Sequence, residues 1–141
     1  MSAPEVYTQQ ANPAFEGELA ARTASRDAAF FLPRLRPGMR LLGVGCGPGS
    51  ITLGLARAVS PGEVVGVDIQ AAQVEQARAL AASKEVGNVC FQAASVYALP
   101  FPDRCFDAAF ANGVVMHLAE PVRALAELRR VLRPGGIAGV R

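Results

Sequence analysis

The sequence has little of what marks several functional classes. It carries one histidine, His117, and three cysteines, Cys46, Cys90 and Cys105, no two of them in a CxxC spacing. Zinc and dithiol redox sites therefore have no framework to build on. An odd number of thiols is also a poor basis for a disulfide scaffold, so they read as reduced, small packing residues. No apolar stretch approaches the roughly 20 residues that a membrane span needs. The start, Met1-Ser2-Ala3-Pro4-Glu5, has no basic segment leading into an apolar run, so no signal peptide is expected and the cytoplasm is the expected location. Neither sign of charge dominates, with 14 basic residues against 12 acidic ones. Arg22, Arg34, Arg57, Arg78, Arg104 and Arg123 are scattered and form no stripe, which gives no reason to expect a nucleic-acid partner. The densest basic cluster, Arg129-Arg130 with Arg133, falls in the last turn of a predicted helix, where cations suit the helix dipole.

What is present is a chain of 141 residues, 51% hydrophobic, enough for one globular domain with a core. Its most telling stretch runs from Leu41 to Ser50 as LLGVGCGPGS, followed by Val64-Val65-Gly66-Val67-Asp68. The order is strand, glycine loop, helix, strand, acid. Alternating glycines after an apolar strand let the backbone approach a ligand, then turn at once into a helix whose free N–H groups face the same space. An acid closing the next strand can accept from two ribose hydroxyls. Glycine loops recur by chance, so the weight rests on spacing and context.

Residues 1–16 contain Pro4, Asn12 and Pro13 with little periodicity and are expected to form an arm, leaving 17–141 as the domain. The alanine-rich segment from Glu18 to Leu32 is predicted to be helical, ending before Pro33. Met39 to Val44 reads as a strand buried on both faces. A helix carrying Ile51, Leu55, Ala58 and Val59 follows, stopped by Ser60-Pro61-Gly62. Val64–Val67 is the second strand. A helix over Ala71–Val86 is expected to turn Val74, Ala77, Leu80 and Ala81 inward and Gln73, Glu75, Arg78 and Lys84 outward. Val89–Gln92 and Phe106–Ala111 are the third and fourth strands, with an irregular loop at Leu99–Asp103. A last helix begins at Pro121 with Val122, Leu125, Leu128 and Leu132 on one face and ends at Pro134-Gly135-Gly136. Ile137–Val140 begins a fifth strand. This alternation implies an α/β fold: a Rossmann-like open parallel sheet with helices on both faces, with the ligand at the carboxyl ends of the strands where the strand order reverses.

On these residues the chain resembles the class I S-adenosylmethionine-dependent methyltransferases, in particular the small-molecule group that includes quinone-biosynthesis C-methyltransferases. The resemblance runs from about Arg22 to Val140. It is carried by Leu41–Gly49, Val65–Asp68, Leu99-Pro100-Phe101-Pro102-Asp103 with Phe106-Asp107, and Leu128 to Gly136 as LRRVLRPGG. It implies that Gly45, Gly47 and Gly49, with Cys46 between them, wrap the methionine part of S-adenosylmethionine. Asp68 would then take the ribose hydroxyls and Ile69 lie against the adenine. Ala94-Ser95-Val96 match the family's Gly-Asp-Ala triplet, so Ser95 stands where an acid holds the adenine, with Val96 beside it. Asn112, past the fourth strand, joins the implied cofactor set. The family also carries an acid two residues before the first loop glycine, where this sequence has Gly43.

A hydrogen bond to a charged group contributes about 1.5–3 kcal/mol, so losing both acids without compensation weakens cofactor binding by roughly a hundredfold or more. Ser95 compensates in part, since a hydroxyl still accepts from the adenine amine. Family members continue with two further strands beyond the fifth, so the chain reads as truncated there. Its fifth strand is then an apolar edge, expected either to pair with a second copy or to be left disordered.

Transfer of a methyl group from a sulfonium is an in-line displacement on an already activated carbon, so the protein mainly positions the acceptor and excludes water. No catalytic triad and no metal set is needed. His117, in the segment Asn112–Leu118, sits where the family often has a histidine facing the acceptor and could orient a substrate hydroxyl; the plainer reading is a histidine packed at a helix start. Tyr7 and Arg22 could close over the cofactor or lie at the surface. Asp103 and Asp107 read as turn and strand-start residues and not as a catalytic carboxylate pair. The expected function is methylation of a small molecule. The alternatives are a degenerate, non-catalytic binding or assembly domain and a nicotinamide-dependent oxidoreductase. The oxidoreductase fingerprint needs a sixth-position glycine where Ser50 stands.

Overall fold

A computed structural model describes residues 23–141; the expected arm at 1–16, Tyr7, Arg22 and the start of the first predicted helix lie outside the described residues. Five strands, β1 (Leu41–Val44), β2 (Val64–Asp68), β3 (Val89–Ala93), β4 (Phe106–Ala111) and β5 (Leu132–Val140), form one sheet in the order β3-β2-β1-β4-β5. Every pairing in it is parallel. The order reverses between β1 and β4, which puts the switch point at the glycine loop that follows β1.

The residues of β1 alternate between two cores, as side chains on a pleated strand must. Leu41 packs with Leu55, Val59, Val64 and Phe110 on one face, which α2 (Ser50–Val59) covers. Leu42 packs with Val65, Phe106, Leu128 and Val131 on the other, which α4 (Pro121–Val131) covers. Beside α2 lies α3 (Ala71–Ser83), whose Val74, Ala77 and Ala81 pack with Leu53 and Phe91. Among the described residues no helix is long and apolar enough to cross a membrane, and no group of three or more His, Cys, Asp or Glu could hold a metal.

Several local expectations change, and the helix expected over Ala71–Val86 ends at Ser83. The first described helix, α1, covers only Ala24–Asp27. Thr23 caps it by accepting from the Arg26 N–H at 3.3 Å, and the Asp27 carboxylate takes the Thr23 N–H at 3.0 Å. Helix propensity would carry the chain onward; instead it turns, and Phe31 stacks against Phe110 with 5.3 Å between ring centroids. A short 3-10 turn, Leu32–Arg34, then carries Pro33 at its start. Asp27, 4% exposed, also pairs with Arg141 at 2.8 Å, tying this segment to the end of β5.

In α3, Gln73 is buried, not outward-facing, because it lies one turn before Ala77 on the i, i+4 stripe with Ala81. In α4 the buried face is Ala124, Leu128 and Val131, while Val122 is 79% exposed and Leu125 is 42% exposed. The small Ala124 lets the helix approach the sheet, so the stripe starts there and not at Val122. Finally, α4 ends at Val131, and Pro134-Gly135-Gly136 lies within β5 at the register shift between the Phe106–Leu132 and Ala108–Ile137 pairings.

The arginine cluster does more than face a helix dipole. Arg130 donates to Glu127, to Asp103 at 2.8 Å and to the carbonyls of Phe101 and Leu99 at 2.8 and 2.9 Å. Glu127 in turn accepts the Leu99 N–H at 3.0 Å. The proline-bearing loop before β4 is thus bolted to α4. Asp107 accepts the Arg40 N–H at 2.7 Å and pairs with Arg133, which agrees with its reading as a strand-start residue.

Candidate functional site

The glycine loop is folded by its own backbone. The N–H groups of Gly45 and Cys46 both donate to the Val67 carbonyl, at 2.9 and 3.0 Å, which draws the loop toward the end of β2. Its glycines have different jobs. Gly47 is buried with φ +53, and a Cβ there would meet nothing within 4 Å, so the space beside its α-carbon is unfilled. Gly49 has φ +91 and caps α2; a Cβ there would lie 3.0 Å from that of Ala77, so a glycine is needed here for α3 to pack against the loop.

Asp68 ends β2 and is 7% exposed. One carboxylate oxygen accepts the Gly47 N–H at 3.1 Å and the other the Gln70 N–H at 2.9 Å. A carboxylate offers about four lone-pair sites, so acceptor capacity for a vicinal diol remains. Burial pushes the Asp68 carboxyl above its ordinary range, against the pull of the two amides. Cys46 lies half-buried behind the loop, and burial together with the Asp68 charge pushes its thiol up to about 12. It is a protonated packing group at neutral pH and no nucleophile.

One narrow cleft at the carboxyl ends of the strands is lined by Gly45, Asp68, Ile69, Ser95 and Val96, so five of the residues expected from the sequence meet in one place. Val44, Val67, Ala94, Tyr97, Val114 and Leu118 complete its wall. Ala94 opens the triplet matched in the sequence; the other five carried no expected role in the site. Val44 and Val67 looked like plain strand residues, while Tyr97, an aromatic two positions after Ser95, was the one available signal. Ser95 accepts the Tyr97 N–H at 3.1 Å and keeps a second lone pair. The described residues enclose only about 30 Å³ here, against the 300 Å³ or more of a typical ligand site. A nucleoside would therefore lie along the cleft, not inside a chamber.

Asn112, half-buried past β4, and His117, exposed in the 3-10 turn Val115–His117, are not among the lining residues, although Val114 and Leu118 on either side of His117 are. A larger hollow of about 750 Å³ lies between α4 and β5 and shares no lining residue with the glycine loop, and two of its arginines, Arg130 and Arg133, are already committed to ion pairs.

Gly43 is buried on β1, and a Cβ there would sit 3.5 Å from the Thr52 hydroxyl, an ordinary contact. Gly43→Asp is therefore expected to fit at its first atom and to tighten binding of S-adenosylhomocysteine by about tenfold, at some cost in melting temperature from the buried charge. Titration calorimetry with a melting curve checks both; a fall in affinity would mean that Thr52 already closes this position.

The raised Asp68 pKa also sets a pH dependence. A diol needs the ionised acceptor, so affinity is expected to fall as pH drops through the raised value, beginning above the range of an ordinary carboxylate. Stability responds with the opposite sign at this group. An acid whose folded pKa is raised contributes its full stability below the unfolded pKa and loses it as pH rises through the folded one. Asp68→Asn should remove the affinity slope; a slope that persists would assign it to another group.

The sequence matches the family model described as "Methyltransferase domain" over residues 42–140. It is 39% identical over 123 residues to an uncharacterized methyltransferase of Schizosaccharomyces pombe, covering 83% of this chain and 44% of that protein. It is 41% identical over 103 residues to a demethylmenaquinone methyltransferase of Symbiobacterium thermophilum, covering 72% and 41%. Among solved structures, a SAM-dependent methyltransferase from Aquifex aeolicus superposes with a TM-score of 0.77 at 28% identity, covering 87% of this chain and 68% of that one. The chain spans less than half the length of these two curated relatives.

Proposed function

Because this chain belongs to the methyltransferase-domain family, we propose that it binds S-adenosylmethionine and serves methyl transfer to a small molecule. The observation that carries this reading is Asp68. It is a buried carboxylate at the end of β2 with spare acceptor sites, bonded to the glycine loop at the sheet's switch point, where Gly47 leaves space open. When bound, S-adenosylmethionine supplies a methyl group already activated on a sulfonium. The chain's own residues would do the rest. Asp68 would hold the ribose diol, Ile69 and Val96 flank the base, and Ser95 accept from its exocyclic amine in place of an acid. The backbone around Gly47 would leave room for the amino-acid end. The relative named for demethylmenaquinone supports a small-molecule acceptor here, and His117, exposed in the turn between the cleft-lining Val114 and Leu118, is the candidate to orient it.

Gly43 and Ser95, both where the family has acids, favour a second reading in which the domain binds the cofactor without transferring methyl. Calorimetry with S-adenosylmethionine, S-adenosylhomocysteine and NAD tests the proposal: micromolar binding of the first two and none of NAD is expected. Binding of NAD alone would replace it with an oxidoreductase. Transfer of labelled methyl to phenolic and quinol acceptors then separates catalysis from binding.

A further inference from the structure

Tyr97 is the residue whose placement the reading above does not use. It is 8% exposed, and it lines the same cleft as Asp68 and Ser95 on one side and Val114 and Leu118 on the other. Its backbone N–H is held by Ser95. Its phenol oxygen accepts the Glu120 N–H at 3.1 Å, across the turn that carries His117 and at the cap of α4. The Glu120 carboxylate pairs with Arg123 at 3.3 Å, and the Arg123 guanidinium lies 5.1 Å over the Tyr97 ring, closing the set on itself. One side chain thus spans from the turn expected to hold the adenine to the turn expected to face the acceptor.

Resting on the cofactor reading above, we propose that Tyr97 is a positioning residue that couples occupancy of the adenosine cleft to the placement of residues 114–120. The ring forms part of the wall against which a bound base settles. The hydroxyl transmits that ordering to the Glu120 backbone, and with it to the 3-10 turn. The remainder of the loop has its own anchors in Glu127 and Arg130, so removing the hydroxyl takes away the Glu120 tether of a turn that Val114 and Leu118 still pack against the core, without releasing the loop.

The test compares the wild-type chain with Tyr97→Phe and Tyr97→Leu by calorimetry and amide hydrogen exchange, with S-adenosylhomocysteine as the probe. In the wild type, saturating ligand is expected to slow exchange across 114–120 by about fivefold or more, as ordering of a locally opening segment requires. Tyr97→Phe keeps the ring, so its affinity should stay within about threefold, while ligand-induced protection of 114–120 falls below about twofold and protection around 45–49 and 68–70 persists. Tyr97→Leu loses the wall as well, and its affinity should fall by about tenfold. Undiminished protection of 114–120 in Tyr97→Phe overturns the coupling, as does a loss of affinity in Tyr97→Phe equal to that in Tyr97→Leu. Failure of the wild-type chain to bind S-adenosylhomocysteine at all overturns the cofactor reading, and this inference with it.

Discussion

Asp68→Ala is expected to weaken binding of S-adenosylhomocysteine by about ten- to a hundredfold in titration calorimetry, the loss that goes with removing charge-assisted hydrogen bonds. Two effects add. On the proposed reading the ribose diol loses its acceptor, and the Gly47 and Gln70 amides lose the carboxylate that now holds the glycine loop against the end of β2. Asp68→Asn separates them: one amide oxygen can still accept, but the amide nitrogen faces an N–H donor. Its affinity should fall between wild type and Asp68→Ala. An affinity unchanged in Asp68→Ala would place the sugar elsewhere.

The second large effect concerns stability. Phe106 is fully buried at the start of β4, meets Phe101 edge-on with 5.1 Å between centroids, and lies under the Arg40 guanidinium at 4.9 Å. Phe106→Ala leaves a cavity between the sheet and α4 and is expected to cost about 3–5 kcal/mol, a large share of the roughly 5–15 kcal/mol that holds a domain together. Urea denaturation measures it as a lowered midpoint. Phe101, only half-buried, should cost clearly less on the same substitution. A loss below about 1 kcal/mol for Phe106→Ala would show that α4 collapses into the space.

The parts of the fold that sequence made legible are those set by local pattern. The run Phe106–Ala111 is the fourth strand to the residue, and β2 opens at Val64 as expected, because continuous apolar runs bounded by turn residues have few other solutions. The order strand, loop, strand, acid brought Gly45 and Asp68 to one cleft for the same reason. What stayed hidden depends on partners distant in sequence. Arg130 reads as a helix-end cation until Leu99, Phe101 and Asp103 are seen to fold back onto it. Gln73 reads as polar and outward, yet the glycine loop's packing on Ala77 draws its turn inward; among the described residues its side-chain oxygen is buried without a hydrogen-bond partner. Val122 and Leu125 suggest an apolar face that Ala124 takes instead. Tyr97 gave only a weak signal, since nothing near it in sequence announces Glu120 as its partner.

The most direct check is a crystal structure of the 141-residue chain with S-adenosylhomocysteine. Both ribose hydroxyls are expected within about 2.5–3.0 Å of the Asp68 carboxylate oxygens, with the amino-acid tail beside Gly47. Density for the nucleoside in the hollow between α4 and β5, or an Asp68 carboxylate still touching only the Gly47 and Gln70 amides while ligand is bound elsewhere, would contradict the assignment.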